Sequence, residues 1–402
     1  MDTPLKTAVI GAGLGGMAAA YDLVKAGRAV TIYESSDVVG GLAAGFKEPH
    51  WDWSVERFYH HWFQSDQHML GLIDELGLSD KVVFPRPVTV MYHKGKFYPF
   101  DSVFSALLFP GLGWGVTKVR FGLVTLYLRL TNNWKTLEHH TVDAWMRKWA
   151  GDKAYELMWE PMMIGKFSDR YAKVVNMAWM WARLHARTPR LGTFQGGFQA
   201  FSDAFAARLR EMGVEIRLNT PVERIQRLPS GEVQVITPGA SETYAQVLST
   251  SSPALLTRLA PDLPEGYLKG LLDLKNMGAV VMILALKHPL SKEGYYWYNI
   301  PKTAGFPFLS LVEHTNFLSP DYFGGDHIIY IGDYLNTDHE NFSLSKEELV
   351  ARFLPYLTRI NPDFNPDWVK NSWLWKTAYA QPIPLVEHSR NIPDIRTPVP
   401  GL

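Results

Sequence analysis

Lys6-Thr7-Ala8-Val9-Ile10-Gly11-Ala12-Gly13-Leu14-Gly15-Gly16 stands near the start of the chain, and Val30-Thr31-Ile32-Tyr33-Glu34 follows a helix length later. The apolar run from Ala8 to Ile10 reads as a buried strand, the glycines turn out of it, and a helix follows as far as Gly27. In that setting the glycines have separate tasks. Gly11 permits a tight turn, Gly13 lets the backbone approach a pyrophosphate, and Gly16 lets the new helix pack on the strand, with Gly15 in the same loop. A second strand runs from Ala29 to Tyr33, and Glu34 ends it, where a carboxylate accepts hydrogen bonds from ribose hydroxyls. The helix turns its positive end to the phosphates. An α/β fold with a Rossmann-like dinucleotide site is predicted, and the motif alone leaves NAD and FAD open.

Size and composition narrow the class. A chain of 402 residues exceeds the usual single domain, so two domains are expected. With 47% hydrophobic and 20% charged residues, the composition excludes a disordered chain. Formal net charge is zero, so no basic excess exists to neutralise a phosphate backbone, and nucleic acid is not an expected partner. Cysteine is absent, which excludes disulfides, thiolate metal sites and a cysteine nucleophile. The first strand begins almost at Met1, which leaves no room for a charged n-region and an apolar h-region, so the expected location is the cytoplasm.

After Glu34 come Ser35-Ser-Asp-Val-Val-Gly40-Gly41-Leu42-Ala-Ala. Here the chain resembles the flavin-dependent amine oxidase, phytoene desaturase and protoporphyrinogen oxidase superfamily, in which paired glycines after the ribose-binding acid let another loop pass close to the cofactor. The resemblance implies FAD, held through Gly11, Gly13, Gly15, Gly16, Glu34, Gly40, Gly41 and the position of Leu42. The family generally carries arginine at that last position, so one contact near the FAD phosphates is missing. Gly196-Gly197-Phe198 opens a second such unit. Phe198, Phe201, Phe205, Leu209 and Met212 mark one helical face, Gly213 closes it, and Val214 to Leu218 is a strand leading to Val222. In the family the backbone at the position of Val222 pairs with adenine. The resemblance thus implies a Rossmann-like FAD-binding domain interleaved with an α+β substrate-binding domain. The FAD part would take residues 1–80 and 191–275, the substrate part 81–190 (mainly helical) and 276–380, and 381–402 would return to the first.

The segment Arg57-Phe-Tyr-His60-His61 is implied by the resemblance to run beneath the flavin, which makes Arg57, His60 and His61 pocket candidates. His60, His61 and His68 lack a carboxylate or thiolate partner at metal-ligand spacing, so no metal site is expected. Phe97 to Leu130 is the most apolar stretch, but Pro110, Lys118, Arg120 and several glycines interrupt it, and a spanning helix needs roughly twenty apolar residues. Two readings survive there: buried helices, or a lid that dips into one face of a membrane. Trp159-Glu160-Pro161-Met-Met reads as the end of a helix, and Met277 to Leu286 as a strand. Amine oxidases of the superfamily commonly carry a lysine on that strand, and the aligned position is Met282, the fourth pocket candidate. The implied reaction is therefore hydride abstraction from a largely apolar small molecule, by a desaturase- or protoporphyrinogen-oxidase-like enzyme. The alternatives are a flavin enzyme like UDP-galactopyranose mutase, acting on a nucleotide sugar, and a non-catalytic dinucleotide-binding protein. In the family the carboxyl end continues through a further strand, turn and helix, so a sequence stopping at Pro400-Gly401-Leu402 is expected to be a truncation.

Overall fold

The computed structural model describes residues 5–113 and 115–402. What the sequence suggests ahead of Leu5, and at Trp114 within the apolar stretch, falls outside the described residues. Lys6–Ile10 and Ala29–Tyr33 are parallel neighbours joined by the helix Leu14–Lys25. Glu215–Arg217 pairs in parallel with the second strand, and Gln246–Ser249 with the first, so the sheet is assembled from distant parts of the chain. Its two faces are buried differently, as alternation along a strand requires. Val9 and Ile32 pack beneath the helices Leu14–Lys25 and Gly197–Glu211, against Met17, Phe201 and Phe205. Ala8, Ile10 and Tyr33 meet Ile225, Val233 and Val235 of a three-stranded antiparallel sheet on the other side. The α/β class expected from the glycine motif is the class observed.

A second, mixed sheet of seven strands is built around Asn276–Leu286, which lies antiparallel to both His327–Leu335 and Val369–Pro382. Val280, Met282 and Leu284 face one core with Leu349 and Phe353, whereas Val281, Ile283 and Ala285 face another with Trp51, Tyr296 and Tyr330. A helical layer buries Met146, Tyr155, Met163, Phe167, Met177 and Met180 together, so the Trp- and Met-rich stretch is mostly core. Trp159 to Met163 does not end a helix. Tyr155–Trp159 is a π-helical turn that runs into Glu160–Tyr171, and Pro161, which has no N–H to donate, sits just after the junction of the two.

The helix Val116–Leu130 corrects the buried-helix reading in part. Val124 and Leu128 are buried, but Val116, Val119, Leu123, Leu126, Tyr127 and Leu130 are exposed on its other face, and Phe104 and Leu108 in the preceding helix are exposed as well. Among the described residues no helix is long and apolar enough to cross a membrane. At the carboxyl end, Val247 donates its N–H to the Gly401 carbonyl at 2.7 Å, which lays the last residues along Gln246–Ser249.

Candidate active site

The glycine loop, Glu34 and the segment before Val222 converge at the carboxyl ends of the parallel strands. A Cβ on Gly16 would lie 2.0 Å from the Gly11 carbonyl, so the helix start and the loop close on each other only without a side chain. A Cβ on Gly41 would lie 3.1 Å from the Gly13 Cα, and Gly40 donates its N–H to Ala12 O at 2.9 Å. The paired glycines therefore cross directly against the first loop. The Cβ direction of Gly13 meets only the Gly41 Cα, at 3.8 Å, and exposed Gly15 meets nothing within 4 Å. Protein atoms leave that side of the loop open.

Glu34 holds the loop in shape: its carboxylate accepts the Ala12 N–H at 2.7 Å and the Ser36 N–H at 2.9 Å. Thr220 donates its N–H to the Glu34 carbonyl at 2.8 Å, which brings Val222 alongside. Neither the N–H nor the C=O of Val222 has a hydrogen-bond partner among the described residues.

From Gly41 the chain passes Leu42 and reaches a narrow cavity of about 50 Å³. Its walls include Leu42, Tyr59, His60, Val281, Asp333 and Tyr334. His60 Nδ1 is 2.6 Å from the Phe58 carbonyl, which makes it the donor, and burial lowers the pKa of the ring. Of the four pocket candidates only His60 lies in the cavity wall. Arg57 stacks its guanidinium 4.6 Å over the Trp375 ring, where its Nε is sealed without an acceptor. His61 is corrected to a core residue: its Nε2 is hydrogen-bonded to the Tyr296 hydroxyl, Phe317 packs edge-on at 5.1 Å, and burial pulls its pKa to about 3. Met282 is corrected too, because strand alternation turns it into the core behind the sheet and gives the cavity Ala279 and Val281 instead.

Sequence reading missed four residues here. Asp333 lines the cavity, accepts the Leu309 N–H at 2.6 Å, and is pushed up to about 8 by burial, so its carboxyl is largely protonated near neutrality. Tyr334 lines it as well, and the Lys166 ammonium lies 4.2 Å from its ring centroid. Arg183 lies 5.0 Å over Trp179. The available signal was a charged residue inside an otherwise apolar element: Lys166 after Met162-Met-Ile-Gly165, Arg183 after Met180-Trp-Ala182, and Asp333 after Ile328-Ile-Tyr-Ile-Gly332. Chemically, the cavity offers apolar and aromatic walls, an imidazole, and a carboxyl that exchanges its proton near neutral pH.

A family model described as flavin-containing amine oxidoreductase matches residues 14–402. A 15-cis-phytoene desaturase of Capsicum annuum is 36% identical over 101 residues, which cover 24% of this chain and 17% of that enzyme. The chain thus aligns with about a sixth of that relative's length. An oxidoreductase from Methanosarcina mazei has the same fold, with a TM-score of 0.72, 19% identity, and coverage of 93% of this chain and 89% of the other. A putrescine oxidase bound to putrescine superposes with a TM-score of 0.70 and 18% identity, covering 99% of this chain and 92% of its own.

Proposed function

Since the chain belongs to the flavin-containing amine oxidoreductases, we propose that it is an FAD-dependent oxidoreductase that takes a hydride from a largely apolar substrate. The observation that carries this reading is the crossing of Gly13 and Gly41 above the parallel strands, with an open backbone edge on one side and the cavity on the other. The residues suit the group. Gly13 and the amino terminus of Leu14–Lys25 would take its pyrophosphate, Glu34 a ribose, and the free peptide groups of Val222 the adenine. When bound, FAD supplies the hydride acceptor. Leu42, Phe58, Tyr59 and Val281 give the substrate dry walls, and Asp333 can hold or release a proton there. The strand Asn276–Leu286 presents Ala279 and Val281 to the cavity, and this apolar face favours an apolar substrate over an amine. In this reading residues 1–80 and 191–275 form the cofactor domain, and 81–190 and 276–380 the substrate domain.

The exposed stripe from Val116 to Leu130 belongs to the same reading. It is the apolar face of a helix that lies in a membrane surface, with exposed Arg129 beside it, from which a lipophilic substrate would arrive.

Purified protein is expected to carry or take up FAD, seen as flavin absorbance. Gly13→Val should lose it while staying folded, because the new side chain enters the phosphate space and meets little protein. Under anaerobic mixing, lipophilic polyenes or tetrapyrroles should bleach the flavin faster than simple amines. Rapid bleaching by amines alone would refute the substrate class, and a protein that never takes up FAD would refute the whole reading.

A further inference from the structure

A lysine and an arginine sit near the cavity with no counter-ion among the described residues. Lys166 is carried by the helix Glu160–Tyr171 between Met163 and Phe167, both fully buried, and Arg183 by the helix Met177–Ala186, one turn beyond buried Met180. Neither forms an ion pair or a hydrogen bond among the described residues. Each rests on a ring, Lys166 on Tyr334 and Arg183 on Trp179, which recovers only part of the cost of desolvating a cation. Both residues are partly exposed, and burial of the rest of each side chain depresses the pKa of both, most strongly that of Lys166.

Lys166 reaches the cavity wall, 4.2 Å from the ring of Tyr334, and Arg183 lies close enough for its charge to act on the wall. Lys166 feels Arg183, and Arg183 is felt by both cavity tyrosines, Tyr59 and Tyr334. The Tyr334 hydroxyl has no hydrogen-bond partner among the described residues. Arg187, exposed at the end of the same helix, adds a third positive group that Arg183 also feels. Asp333 offers no counter-charge, because its burial keeps it protonated near neutrality. A lysine amine, a guanidinium and a phenol make a set rich in donors, and an anion bound there would restore the lysine charge that burial disfavours.

We propose that the substrate ends in an anionic group, a carboxylate or a phosphate, bound by Lys166 and Arg183 with help from the Tyr334 hydroxyl. This deepens the proposed function and rests on taking the cavity as the substrate site. An apolar body with an acidic end also fits the neighbourhood, since the helix bearing Arg183 packs against Val116–Leu130 with its exposed apolar stripe. A cationic substrate would be repelled.

The test is calorimetric titration of the flavin-loaded protein with decanoate, decyl phosphate, decanol and decylamine. At least one of the two anions should bind about ten- to a hundredfold tighter than decanol, as expected for charge-assisted hydrogen bonds, and decylamine should bind weakest. Which anion binds tighter distinguishes a carboxylate from a phosphate. Lys166→Met and Arg183→Met should each remove about tenfold of that preference and leave decanol affinity and the flavin spectrum unchanged, while Lys166→Arg retains it. Equal affinity for anions and decanol, preference for decylamine, binding of none of the four, or variants that keep the full preference would each overturn the proposal. If a methionine variant does not fold, the ranking of the four probes on the unmodified protein still decides. The hydride reading is scored separately by flavin bleaching, so either can fail while the other stands.

Discussion

Asp333 is a carboxyl in a largely apolar wall with one backbone N–H for a partner. Burial raises it from 3.8 to about 8, and Glu56 and Glu313 are raised from 4.5 to about 7. The native state therefore binds more protons than the unfolded chain across these windows, so these groups make stability fall as pH rises. Buried His61 and His314, drawn down to about 3 and about 4, act in the opposite sense but only below their ordinary value of 6.5. From about pH 7 to 8 Asp333 contributes a falling slope of at most about 1.4 kcal/mol per pH unit, while Lys166, lowered well below its ordinary value by burial, acts in the opposite sense. Between pH 7 and pH 8 the urea midpoint of the unmodified protein should drop relative to that of Asp333→Asn, which lacks the Asp333 contribution. Parallel falls in both proteins would place the titrating group elsewhere.

At the scale of the element, the helix Val116–Leu130 is apolar on two faces, one turned to the core through Val124 and Leu128 and one turned outward. A sequence pattern cannot separate these faces, because both read as hydrophobic, and only packing against the helices Val142–Ala150 and Met177–Ala186 decides which is covered. Outward leucines buried in lipid are worth up to about 2 kcal/mol each. The triple variant Val119→Ser, Leu123→Ser, Leu126→Ser should therefore sediment with liposomes at least about tenfold less than the unmodified protein. Its melting temperature and flavin content should hold, since those side chains are exposed at 53–63%. Unchanged sedimentation would show that this face does not meet lipid.

Across the whole molecule, the segment from Gly41 to Phe63 ties the two sheets together. Glu56 accepts the Phe198 N–H at 3.0 Å from the helix beside the parallel sheet, and its carbonyl accepts the Tyr330 hydroxyl at 3.0 Å from the mixed sheet. A ligand that lies along this segment should stabilise both sheets at once. Added FAD is expected to raise the melting temperature in a concentration-dependent way, by about 2.7 kcal/mol of stability at a hundred times its dissociation constant. A melting temperature indifferent to FAD would argue against binding there.

Local chemistry alone determines the glycine turn, the strand Ala29–Tyr33 and the helix that starts at Gly197, because glycine spacing and apolar period act between near neighbours. The α/β class follows from those. Pairing decides the rest. Whether Met282 or Val281 meets the cavity depends on the register of Asn276–Leu286 against His327–Leu335, where a slip of one residue exchanges the two faces. His61 became core and His60 cavity wall for the same kind of reason, since adjacent side chains were claimed by different neighbours. Lys166, Arg183 and Asp333 lie on three separate elements, and only tertiary packing desolvates them around one cavity and so gives their charges a common object.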